Sequence, residues 1–68
     1  MKERDVYLRV DAVENMVGLR RNAIWKAEKR GDFPRRIRLP GSNRILWSRR
    51  EVQDWLDAAA AARGEGAR

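Results

Sequence analysis

Gly18 separates two short segments with helical apolar spacing, and two runs with apolar residues at every second position flank Pro40-Gly41-Ser42-Asn43. A capped helical segment follows from Ser48. Together these features predict an α+β fold: a small winged helix-turn-helix with a short N-terminal strand, two helix-turn-helix helices, a β-hairpin wing and a C-terminal helix. One winged helix-turn-helix domain is expected over residues 1–63, with a disordered tail over 64–68.

Tyr7-Leu8-Arg9-Val10 alternates apolar and polar residues, as a short strand does. Asp11-Ala12-Val13-Glu14 has the spacing of a capping box, with Asp11 accepting from the new helix and Glu14 reaching back. That first helix should bury Val13 and Val17 and stop at Gly18 in the left-handed conformation. The second helix should start near Arg20 or Arg21 and end at Lys29 or Arg30, before Gly31, with Ile24 and Ala27 inward. Phe33-Pro34 then breaks the helix and returns Phe33 to the core. In the hairpin, Ile37, Leu39, Ile45 and Trp47 should face inward, leaving Arg36, Arg38 and Arg44 outside. Ser48-Arg49-Arg50-Glu51 is a second capping box, Trp47 can staple onto Val52, and Val52, Trp55, Leu56 and Ala59 make one apolar face.

Composition narrows the chemistry. The 68 residues hold no cysteine and no histidine, which removes disulfides, thiolate and imidazole chemistry and the usual zinc sites. Two serines, one tyrosine and scattered carboxylates form no base–nucleophile pattern, so neither an enzyme nor a cofactor or metal site is expected. MKERDVY carries charge without an apolar stretch, and the longest apolar run, Ala58 to Ala62, is far short of a membrane span. The absence of cysteine fits the cytoplasm.

Charge is concentrated in the middle. Residues 20 to 50 hold eleven Lys/Arg against Glu28 and Asp32, a net +9, whereas the rest of the chain is −3. Such a block points to a polyanionic partner. It also poses a problem, because the second helix opens with Arg20, Arg21 and Asn22. A helix N-terminus carries positive partial charge and unpaired N–H groups, so cations there are mildly unfavourable.

A helix-turn-helix resolves the difficulty. Val13, Val17, Leu19, Ile24 and Ala27 are apolar where two helices must hold each other across the turn glycine. The start of the second helix then enters the major groove. There arginine can bind guanine O6/N7 and asparagine adenine N6/N7, at about 1–3 kcal/mol per good pair. The dipole penalty of roughly 0.3–1 kcal/mol is smaller. The expected DNA-binding residues are Arg20, Arg21, Asn22 and Lys26, then Arg35 and Arg36, with Ser42, Asn43 and Arg44 at the wing. Lys26, four residues after Asn22, shares its outer face. Lys29 and Arg30 suit the C-terminal dipole equally well, and Trp25 could either pack beneath the wing or rest on a sugar-phosphate strand.

The order of these motifs is also familiar. Gly18-Leu19-Arg20-Arg21-Asn22-Ala23-Ile24-Trp25-Lys26, Gly31-Asp32-Phe33-Pro34, Ile37-Arg38-Leu39, Arg44-Ile45-Leu46-Trp47 and Glu51-Val52 before Trp55-Leu56 resemble the AlpA-type phage regulators. Those are small winged-helix proteins of the MerR-like group, close to phage excisionases. The resemblance covers about Leu8 to Leu56. It implies double-stranded DNA as partner, control of transcription or of prophage excision as task, and the bacterial nucleoid as place of action. Departures fall where the family usually has Ser or Thr, at Arg20 and Asn22. Others are Ala23 for Thr, Trp25 for Tyr, Ala27 and Glu28 for aliphatic residues, and Leu46 for Gly. Losing the serine cap should leave the second helix less self-sufficient and more cationic.

The first choice is therefore a sequence-specific transcription regulator, binding several sites and self-associating on them. An excisionase that bends DNA beside an integrase is the alternative within the class. A protein-interaction adaptor docking through its tryptophans and Leu46 is the alternative outside it.

Overall fold

The computed structural model describes residues 5–66, with side chains through Ala62. Its elements are β1 (Tyr7–Leu8), α1 (Val10–Val17), α2 (Arg21–Arg30), β2 (Ile37–Arg38), β3 (Ile45–Ser48) and α3 (Arg49–Gly66). The three strands form one antiparallel sheet in the order β1-β3-β2, pairing Leu8 with Trp47 and Ile37 with Leu46. The α+β winged helix-turn-helix architecture is the expected one. The described backbone carries α3 to Gly66, while residues 67 and 68 of the expected tail lie outside the described residues.

Both glycine stops are as expected. Gly18 (φ 77°) ends α1 with its N–H on the Glu14 carbonyl at 2.8 Å. Gly31 (φ 84°) ends α2, and Asp32 N–H reaches back to the Ala27 carbonyl at 2.8 Å, the long bond of a Schellman motif. That reversal drives Phe33 into the core. In the wing, Ser42 N–H bonds to the Leu39 carbonyl at 3.3 Å around Pro40 and Gly41 (φ 75°), the residue types of a type II turn.

One core residue or more comes from α1 (Val13), α2 (Ile24, Ala27), the following loop (Phe33), β3 (Trp47) and α3 (Val52). Trp47 is fully buried at the centre, its ring tilted on Trp25 at 5.7 Å. Phe33 meets Trp55 edge-on at 4.9 Å, and the Trp55 indole N–H donates to the Asp32 carbonyl at 2.5 Å. Burying such rings is how a chain without disulfides closes a small core.

Three expectations are corrected. The strand ends at Leu8, and Val10 already belongs to α1. The capping box at Asp11 does not form: Arg9 is the N-cap, without a side-chain bond, because Glu14 is engaged elsewhere. Ala59 is exposed, since α3 outruns the body it packs on after Leu56. The second box is half realised, with Glu51 N–H on Ser48 Oγ at 3.1 Å. Asp5 completes it, accepting from Ser48 Oγ and, at 3.1 Å, from Arg50 N–H.

Candidate nucleic-acid interface

The start of α2 is built by its neighbour. Glu14, on α1, accepts the Arg21 backbone N–H at 2.7 Å, doing the work of the missing N-cap side chain. The same carboxylate binds the Arg21 guanidinium through Nε at 3.2 Å and Nη2 at 3.4 Å. The hydrogen bond from Arg21, aided by the charges of Arg21 and Arg20, holds the Glu14 carboxyl below its ordinary pKa. Arg20 is the N-cap by backbone geometry alone, and its exposed side chain makes no hydrogen bond or salt bridge among the described residues.

The outward face of α2 follows from its period. Ile24 and Ala27 point in, which turns Asn22, Lys26 and Lys29 out. None of these three makes a side-chain hydrogen bond among the described residues, so their donors are available to a partner. Lys29, seven residues after Asn22, stands on the same face.

On the flank toward the wing lie Arg21 and Trp25. A groove of about 400 Å³ runs there, with Arg21 and Trp25 on one side and Asn43, Arg44 and Leu46 on the other. The structure thus brings the beginning of α2 and the wing tip to one concavity. Ser42 is used internally: its Oγ accepts the Arg44 N–H at 2.9 Å, stiffening the tip. Asn43 and Arg44 are exposed. Trp25 and Leu46 are both half-buried and line the groove, and Trp25 also packs against the core.

The second arginine pair repeats the first. Glu28 accepts the Arg36 N–H at 2.6 Å and its guanidinium at 2.9 Å (Nε) and 2.7 Å (Nη2). Arg36 also lies over the Trp25 ring at 4.2 Å, so its face is stacked as well as its edge paired. Burial pushes the Glu28 carboxyl up, and the bonds from Arg36 outweigh it, leaving the group below its ordinary value. Arg35 is exposed, makes no salt bridge among the described residues, and lies beside a second concavity, about 540 Å³, formed with Lys29 and Trp25. Sequence spacing gave no warning of either carboxylate clamp, because the partners are seven and eight residues apart across a turn.

Two helices crossing at a left-handed glycine, a three-stranded sheet with a polar hairpin tip, and cations around the second helix define a winged helix-turn-helix protein. The family model described as Prophage CP4-57 regulatory protein (AlpA) matches residues 6–60, and the chain belongs to that family. It is also 35% identical over 60 residues to the uncharacterized protein ORF88 of Enterobacteria phage P4, covering 88% of this chain and 67% of that one. Among the described residues, no helix is long and apolar enough to cross a membrane.

Proposed function

We propose that the protein is a sequence-specific double-stranded DNA-binding regulator that reads the major groove with α2 and touches backbone or minor groove with the wing. The observation that carries this is the shared concavity: Arg21 at the leading end of α2 faces Asn43 and Arg44 across one groove. Arg20, Lys26, Lys29 and Arg35, exposed and without salt bridges among the described residues, supply phosphate contacts around it. Asn22, at the centre of the outward face, meets base edges. Membership of a family of phage regulatory proteins supports the same reading.

The test is selection of bound duplexes from a random pool, followed by affinity measurements across salt. A recovered consensus and a log–log salt slope near −4.5, for about five neutralised phosphates, are expected. No consensus and a slope near zero would contradict the proposal. Strong bending of the selected duplex, over several adjacent sites, would assign the binding to an excisionase task in place of operator control.

A further inference from the structure

Two of the three Arg-Arg pairs, at residues 20–21 and 35–36, are built alike. In each, the first arginine (Arg20, Arg35) is exposed and makes no hydrogen bond or salt bridge among the described residues. The second (Arg21, Arg36) gives its backbone N–H and its guanidinium to one glutamate. At Arg21 the geometry is specific. A guanidinium has a side edge, Nε with Nη2, and an end edge, Nη1 with Nη2, and either can make a two-pronged contact. Glu14 takes the side edge, at 3.2 and 3.4 Å, and does not engage Nη1, so the end edge is not used by this pair. The Arg21 side chain remains 53% exposed while that of Glu14 is only 22% exposed. Because the same carboxylate also holds the helix's first N–H, the arginine is tied to the helix that would carry it into the groove.

We propose that Glu14 is a positioning residue for sequence readout, fixing Arg21 so that its end edge meets O6 and N7 of a guanine and keeping it from wandering to phosphates. This rests on the DNA-binding function proposed above. A negative charge so near the interface costs phosphate attraction, which is the sign that separates this role from a plain electrostatic one. Its removal should strengthen non-specific binding while weakening discrimination.

The experiment compares wild type, Glu14→Ala, Glu14→Gln, Arg21→Ala and the Glu14→Ala/Arg21→Ala double variant on the selected duplex. Single-base variants of that duplex and a random-sequence duplex complete the panel. Glu14→Ala should lower preference for guanine at one position roughly ten-fold or more and tighten binding to the random duplex. In the Arg21→Ala background it should change preference no further. Glu14→Gln keeps an oxygen for the Arg21 N–H, so it tests the role if the alanine variant fails to fold; its preference should fall at the same position. Unchanged preference in Glu14→Gln, or a loss spread evenly over all positions, overturns the positioning role. A wild type with no base preference overturns the proposed function, and the positioning role falls with it.

Discussion

Arg20 and Arg21 are neighbours in different situations: Glu14, on another helix, hydrogen-bonds Arg21, while Arg20 makes no hydrogen bond among the described residues. Residue-scale consequences follow. Replacing Arg20 or Lys26 with alanine should weaken binding to every duplex alike and reduce the salt slope by about 0.9 each, measured by anisotropy titration. Glu14 and Asp5 are both held below ordinary carboxylate values, Glu14 by the Arg21 hydrogen bond and Asp5 by Ser48; Glu28 is lowered by Arg36 against its burial. Such groups bind fewer protons folded than unfolded, so their stabilisation is complete above the ordinary carboxylate range and fades as pH falls through the lowered values. Urea denaturation should therefore give a constant midpoint from about pH 7 to 5 and a falling one below about pH 4. Glu14→Gln should make that fall shallower.

Among the elements, those whose signals were local could be read directly. Gly18 and Gly31 announced the ends of α1 and α2, Pro40-Gly41 announced the wing, and Ser48 with Glu51 announced α3. The elements misjudged were those decided by distant partners. Asp11 and Glu14 had capping spacing, but Glu14 gained more by capping α2 and pairing with Arg21 than by folding back on its own helix. The alanines after Leu56 continue a helical pattern, yet Ala59 is left exposed. The cationic face itself was legible from charge and period; which arginines are held and which are free was not, since that depends on contacts across turns. Gly18→Ala meets no atom within 4 Å, so its cost is conformational, roughly 1–2 kcal/mol in thermal or urea unfolding. Ser48→Ala removes the cap of α3 and should cost about 1 kcal/mol.

The molecule as a whole is organised around Trp47, which β3 carries into contact with the helix-turn-helix on one side and into the sheet on the other. Its ring also backs Trp25, which in turn carries Arg36, so core and interface share one stack of aromatic and cationic groups. Trp47→Ala should cost about 3–5 kcal/mol, enough to unfold much of a domain this small. Circular dichroism melting checks this; a stable, cooperatively melting variant would place the core elsewhere. Trp47→Phe should cost much less, since it removes an indole N–H that has no partner among the described residues. The central claim is that the leading end of α2 and the wing tip face DNA together. Amide chemical-shift mapping with the selected duplex tests it most directly. The largest changes are predicted at Arg20, Arg21, Asn22, Lys26, Asn43 and Arg44, and little change in β1 and the exposed end of α3. Changes confined to β1 and α3, or none at saturating duplex, would contradict it.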